Sequence, residues 1–308
     1  MLIGLHDADR RHGTLKSFPN LALMKISRYY KNQGHHVVWW EPYLNGTVDF
    51  VLSSKVFDFT PVNKYLPVNT YRGGTGYGCY HDLDYERENL FPDYSIYPHI
   101  NYAVGFLTRG CIRQCSFCIV PKKEGNIRPD KTWQSIVRPD SNRLVLMDNN
   151  ILACDHGIGQ LQELASTHYR IDINQGLDAR LVDEQIADIL AKLKWKSYIR
   201  FSCDSDDQVE YIEKAFSLLK ARGIKKSKIF IYLLVTKNIK SAEYRVQKLK
   251  TFKIYAQPEY TPAKNIENLI FEPNKENMPN KEQKNFARYC YANAYKTHSY
   301  KEFKRRGY

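Results

Sequence analysis

The chain has 308 residues, 43% of them hydrophobic, and its 46 Lys plus Arg outnumber its 33 Asp plus Glu to give a net charge of +13. That length holds one large domain or two medium ones without covalent staples, and no apolar run approaches the roughly 20 residues of a membrane span. With no basic-then-apolar leader the expected location is cytoplasmic, and the excess of base suits a polyanionic partner such as a nucleic acid, although the lysines are scattered rather than gathered into one run.

Met1 to His6 reads as a short strand, followed by the polar loop Asp7-Ala8-Asp9-Arg10-Arg11-His12-Gly13. After Pro19 the apolar positions Leu21, Leu23, Met24, Ile26 and Tyr30 recur at helical spacing until Gly34 stops them. Val37 to Trp40 and Asp49 to Ser53 are two further strands, so residues 1–70 are expected to form a small open α/β layer. Residues 71–99 are rich in Gly, Tyr and Asp and are expected to be a linker wrapping the next domain. The glycines of Gly73-Gly74-Thr75-Gly76-Tyr77-Gly78 serve turns, since a phosphate cradle needs a strand before and a helix after.

From Tyr102 apolar strands alternate with amphipathic helices about every thirty residues. The expected strands are Tyr102 to Leu107, Leu144 to Met147, Tyr169 to Asn174, Tyr198 to Phe201, Ile229 to Val235 and Ile254 to Gln257. Ile229 to Val235 is so apolar that both its faces should be covered. Eight such units close a full barrel, so six over residues 100–260 predict an open, partial (β/α)6 barrel. In such folds chemistry sits at the strand C-terminal ends. Those ends carry the polar sets Asp148-Asn149-Asn150, Gln175 to Arg180, Ser202-Cys203-Asp204, Thr236, and Gln257 with Glu259 and Tyr260. Polar residues at the same end of nearly every strand mark an active-site rim. Residues 261–308 form a basic, tyrosine-rich tail, helical in its middle, that packs on the edge or bottom of the barrel or else grips a nucleic-acid backbone.

The remaining motif is Gly110-Cys111-Ile112-Arg113-Gln114-Cys115-Ser116-Phe117-Cys118, which follows the first of these strands. Three thiolates on one tight loop call for a metal: a zinc site completed by a histidine, or an iron-sulfur cube that usually takes four thiolates and would here keep one iron open. The other cysteines, Cys79, Cys154, Cys203 and Cys290, stand far apart and form neither a second cluster nor a disulfide framework.

A Cys-x3-Cys-x2-Cys array with an aromatic residue before its last Cys, placed after the first strand of a six-unit β/α series, resembles the radical S-adenosylmethionine superfamily over residues 100–260. The resemblance implies a [4Fe-4S] cluster on Cys111, Cys115 and Cys118, with its open iron chelated by the amino and carboxylate groups of S-adenosylmethionine. It implies an electron donor such as flavodoxin or ferredoxin, and a 5′-deoxyadenosyl radical that takes hydrogen from a substrate. Phe117, Asp148, Asn149, Asn150, Gln175, Asp178, Arg180, Ser202 and Asp204 are then the candidate cofactor contacts. Asp148-Asn149-Asn150 stands where the family has a Gly-Gly-Glu motif for the methionine amine, and Ser202 and Asp204 stand where relatives hold ribose or carboxylate. Arg180 either orients an anion or pairs with Asp183 at a helix start; Arg109 and Arg113 flank the cluster and are placed to tune it or lie on an exposed loop.

Residues 1–70 resemble a degenerate Rossmann-like domain of the cobalamin-binding branch. Asp9-Arg10-Arg11-His12-Gly13 has the residue types of a cobalamin-ligating loop at the wrong spacing, so bound cobalamin is not expected. A lone Cys79 argues against the methylthiotransferases, whose N-terminal region carries three cysteines. The functional expectation is a radical S-adenosylmethionine enzyme with one cluster, nucleic acid or nucleotide being the favoured substrate. The alternative is a non-catalytic zinc or iron-sulfur module that binds nucleic acid.

Overall fold

A computed structural model of the chain describes residues 1–10, 18–260 and 278–305. Residues 11–13 of the expected cobalamin-type loop and residues 261–277 and 306–308 of the tail lie outside the described residues. The chain divides into two compact units, one built on residues 1–101 with 122–124, the other on the remaining described residues from 102 onward.

The first unit contains β1 (Leu2–Asp7), α1 (Leu21–Asn32), β2 (His36–Trp39), β3 (Phe50–Ser54), β4 (Thr70–Gly73) and α2 (Tyr85–Glu88). Its strands are all parallel, in the order β2-β1-β3-β4. α1 starts where the Asn20 side chain accepts the Leu23 amide (3.1 Å) and ends at Gly34, whose φ of +79° is the left-handed turn that favours glycine. Leu23 and Met24 are buried on its inner face. Residues 71–99, read from the sequence as a linker, continue β4 and are tied into this unit by polar groups. Lys25 donates to the Glu88 carboxylate (2.7 Å), Tyr97 donates its hydroxyl to Asp7 (2.7 Å), and Asp93 accepts from Ser27 (2.6 Å), Lys31 (2.7 Å) and the Ser95 amide (3.0 Å).

The second unit runs β5 (Ala103–Gly105), β6 (Thr108–Arg109), the first half of α3 (Val120–Lys123), β7 (Arg128–Pro129), α4 (Trp133–Ile136), β8 (Arg143–Leu146), α5 (Asp155–Ala165), β9 (Arg170–Ile173), α6 (Glu184–Lys192), β10 (Ile199–Cys203), α7 (Gln208–Ala221), β11 (Ile229–Val235), α8 (Ile239–Leu249), β12 (Lys253–Pro258), α9 (Lys281–Tyr291) and α10 (Tyr300–Arg305). Two parallel sheets, β5-β8-β9 and β10-β11-β12, take their strands in sequence order. Between them the backbone ladder thins to two parallel bridges, Ile171 to Trp195 and Leu177 to Phe201. Side chains cross this seam: Arg200 of β10 pairs with Asp172 of β9 and donates to the Ile173 carbonyl (3.2 Å).

One face of β10–β12, carrying Phe201, Ile231 and Ile254 in register, joins the buried core with Ile186, Val209, Ile212, Val246 and Leu249 of the helices. The opposite face of β11, with Phe230, Tyr232 and Leu234, is only half-buried. The expectation that β11 is covered on both faces is therefore corrected: aromatic rings and the stem of a long apolar side chain fill a strand face without being sealed from water.

The first strand is also shorter than its apolar run. It stops at Gly105, because the amides of Leu107 and Thr108 turn to the Asp148 carboxylate instead of a neighbouring strand. β6 and β7 then pair antiparallel and form the base of the cysteine loop. The tail closes on β11 and the entry to β12: Gln283 of α9 donates to the Val235 carbonyl at the end of β11 (2.9 Å), the Tyr295 hydroxyl donates to the Phe252 carbonyl just before β12 (3.1 Å), and Phe286, Tyr289, Tyr300 and Phe303 are buried. No helix among the described residues is long and apolar enough to cross a membrane.

Burial alone would raise the Asp93 carboxyl, but the hydrogen bonds from Lys31, Ser27 and Ser95 outweigh it and hold it down to about 2. A carboxyl depressed in the folded state stabilises above its unfolded pKa and loses that contribution as pH falls through the folded value. Asp93→Asn should therefore cost about 2 kcal/mol at pH 7, and the gap to the parent should close as pH falls from 4 toward 2. Urea denaturation across that pH range measures both.

Candidate metal centre

The site is built outward from Asp148, which follows β8. Only 1% exposed, its carboxylate accepts the Leu107 amide (3.0 Å), the Thr108 amide (2.5 Å) and the Thr108 hydroxyl (2.8 Å). Burial pushes this carboxyl up to about 6 against the pull of those donors. The sequence placed Asp148 among the cofactor contacts; its side chain is instead turned inward, fixing the chain that enters the cysteine loop. At the loop entrance Gly110 has φ +80°, and an added Cβ would lie 2.2 Å from the Asn126 carbonyl oxygen, so glycine is required by both conformation and space.

Within the loop the Cys111 sulfur accepts the Arg113 amide (3.3 Å) and the Asn150 side-chain amide (3.5 Å), while the Cys118 amide donates to the Cys115 carbonyl (3.0 Å). Burial raises the Cys115 thiol, with Asp204 and Cys111 adding to it. Burial likewise raises Cys118, opposed by the Val120 amide and reinforced by the other two cysteines. Among the described residues no three His, Cys, Asp or Glu side chains are gathered in a metal-holding group, so the three sulfurs share one loop and one electrostatic field without being drawn together. A bound cation reverses this pKa logic, because ligation requires the thiolate.

The other candidate residues divide. Asn150 is 5% exposed; its amide faces Cys111, and its Oδ1 is buried without a hydrogen-bond partner. Asp178 follows β9 and accepts from Arg180 (2.7 and 3.1 Å) and from Arg113 of the cysteine loop (2.9 Å). Burial would raise this carboxyl, but the two arginines hold it below the usual carboxylate range. Arg180 thus pairs with Asp178 and not with Asp183, which caps α6 through the Ile186 amide (2.8 Å). Ser202, next to last in β10, lies so close to the loop after β9 that a Cβ on Gly176 would meet its Oγ at 2.0 Å. Asp204 is pushed up to about 6 by burial, with Asp178 adding to the rise and Arg245 and Arg180 opposing it. Phe117 is half-buried beside Cys118, Asn149 is half-buried, and Gln175 is exposed and, among the described residues, bonded to its neighbour Asn174 (3.3 Å). Arg109 is packed under the loop, bonded to Asp130 (3.3 Å) and 3.8 Å from the Phe106 ring centre.

Arg245 was not singled out in the sequence. Fully buried on α8, it donates to the carbonyls of Cys203 (2.6 Å) and Leu234 (2.9 Å) and pairs with Asp206 (3.2 Å), fixing the ends of β10 and β11. Its signal was a cation on the apolar stripe formed by Ala242, Val246 and Leu249. Because Asp148 is the acceptor for two buried amides, Asp148→Ala should destabilise the chain by about 2–4 kcal/mol, measured by chemical denaturation, while Asp148→Asn, which keeps one acceptor oxygen, should cost less.

No protein-family model and no curated protein matches the chain. Among solved structures it is similar to TsrM, a radical S-adenosylmethionine methyltransferase from Kitasatospora setae determined with cobalamin and a [4Fe-4S] cluster bound. The match has a TM-score of 0.60 at 12% identity and covers 83% of this chain and 74% of that one. This overturns the expectation, drawn from the loop spacing after β1, that set cobalamin aside: the matching structure holds cobalamin, and a five-residue spacing does not decide whether a fold of this kind binds it. The mixed α/β chain, with its parallel sheets, has the fold of a radical S-adenosylmethionine enzyme.

Proposed function

We propose that the chain is a radical S-adenosylmethionine enzyme that holds one [4Fe-4S] cluster on Cys111, Cys115 and Cys118 and binds S-adenosylmethionine beside it. The observation that carries this reading is the placement of the cysteine loop beyond the first strand of a parallel β/α series, with the unpartnered Asn150 Oδ1 buried next to Cys111. The donor set fits a cluster: three thiols on one loop, with N–H groups of Arg113 and Asn150 already directed at sulfur, the type of hydrogen bond that tunes a cluster's potential.

When bound, the cluster and S-adenosylmethionine supply one-electron cleavage of the sulfonium and a carbon-centred radical. This chain's residues bind and orient. Asn150 Oδ1 is an acceptor of the kind an ammonium group needs, since a buried carbonyl oxygen without a donor costs free energy until one arrives. Asp178, held between Arg113 and Arg180, ties the cysteine loop to the end of β9, and Asp204 with Ser202 lines the end of β10. The six parallel strands are read as an open, partial (β/α)6 barrel with these groups on its rim. The reading calls for a low-potential donor of the flavodoxin or ferredoxin type and a cytoplasmic setting, and it admits cobalamin as a ligand of the first unit.

Anaerobic reconstitution with iron and sulfide should load about four irons per chain, and dithionite with S-adenosylmethionine should then release 5′-deoxyadenosine and methionine. Replacing Cys111, Cys115 or Cys118 by Ala should abolish both loading and cleavage. Asn150→Ala should keep its iron but raise the KM for S-adenosylmethionine by about tenfold, the worth of one buried hydrogen bond. Co-purified zinc with no iron uptake would make the chain a non-catalytic module instead.

A further inference from the structure

The lysines that are scattered in the sequence are gathered by the fold. In the second unit the strands β8 to β12 run parallel, so every connection leading from a helix into a strand lies at the strands' N-terminal end, and every connection leading out lies at the other. The inward connections 137–142, 166–169, 193–198, 222–228 and 250–252 hold eight basic residues and one acid, Asp140; Arg138 pairs with Asp140 (2.5 Å), Arg222 pairs with Glu184 (2.6 Å) and Asp188 (2.6 Å) of α6, and the other six bases are lysines. The outward connections 147–154, 174–183, 204–207 and 236–238 hold six acids and two bases. The unit is therefore polarised, with its candidate metal centre at the acidic end.

Helix dipoles account for part of this order, since a cation in the last turn of a helix is favoured; Lys192 and Lys220 are of that kind. The inward connections go further. Lys225, Lys226 and Lys228 lie past Gly223, where α7 has already ended, and are exposed. Lys228 reaches the neighbouring connection, donating to the Ser197 carbonyl (3.4 Å). Arg143 and Arg170 stand side by side in register at the starts of β8 and β9.

Rings are interleaved with these cations. The Lys253 ammonium sits 4.8 Å from the Tyr198 ring centre and Lys196 5.3 Å from Tyr102; neither lysine is ion-paired among the described residues. His168 and Tyr169 stack at 4.5 Å just before Arg170. Duplex recognition by phosphate contacts needs only cations, whereas a line of cations with half-exposed rings between them fits a backbone whose bases are free to stack.

We propose that this basic, aromatic end of the second unit binds the backbone of single-stranded nucleic acid. The surface is independent of the cluster and lies at the opposite end of the strands, so it stands or falls without the reading given under the proposed function.

The test uses the full chain, as isolated, with a fluorescein-labelled 20-nucleotide oligouridylate read by anisotropy between 50 and 200 mM salt. Binding is expected near ~10 µM at the upper end of this range, with log K falling linearly in log salt. The combined variant Lys225→Glu, Lys226→Glu, Lys228→Glu should bind at least about tenfold more weakly and show a salt slope reduced by about 2, the loss of three phosphate contacts at about 0.7 each. Its thermal unfolding should match the parent, and its S-adenosylmethionine cleavage should be unchanged. Lys237→Glu, at the acidic end, should bind as the parent does. The proposal is overturned if the oligonucleotide does not bind, if Lys237→Glu weakens it as much as the triple variant does, if a duplex of the same length binds more tightly, or if polyglutamate or vesicles of anionic lipid compete as well as unlabelled oligouridylate.

Discussion

One carboxylate sets the position of everything chemically interesting in the second unit. Asp148, buried beyond the end of β8, accepts two consecutive amides from the chain leaving β5, and a segment that would otherwise continue as strand is bent into the base of the cysteine loop. The arrangement is costly in isolation, since burial favours the protonated acid, and it persists because two amides and a hydroxyl would be stranded without it. Two residues later Asn150 touches the Cys111 sulfur, so one short turn both fixes where the loop begins and supplies a neighbour for its first cysteine.

A second tie works from the far side. Arg113 leaves the cysteine loop to meet Asp178, which Arg180 already holds, so the loop is bonded to the ends of both β8 and β9. Three charged groups share this tie, with one carboxylate between two guanidiniums. Burial and the Asp204 carboxylate leave the Cys115 thiol raised, outweighing the two guanidiniums, which pull it down.

The alternation of strands and helices was legible because apolar strands and amphipathic helices write different periods, and the run from Tyr102 to Gln257 keeps both clearly. The cysteine spacing was legible for a similar reason, since no packing requirement produces it. Individual roles were not. Asp148, Asn149 and Asn150 are three polar residues in a row, and only the turn's geometry sends the first inward, the third to Cys111 and leaves the second between them. Arg245 was hidden because a charge on an apolar stripe reads as noise until the carbonyls of Cys203 and Leu234 are seen at its tip. Charge polarisation was invisible for a different reason: residues as far apart as Lys194, Lys226 and Lys250 come to the same end of the unit only because parallel strands bring every inward connection there.

The seam between β9 and β10 gives the unit an uneven stiffness. Elsewhere adjacent strands are locked by ladders of amide hydrogen bonds, which respond little to the ionic medium; at the seam two bridges remain and the Arg200 pair with Asp172 spans the gap. Backbone hydrogen bonds from the amides of Ile171, Lys196, Leu177 and Ser202 still cross the line, and the Arg200 pair between them is largely buried, where dissolved salt screens it little. Ser202 and Gly176 abut on this line, so any widening there is felt first at the rim where the strands end.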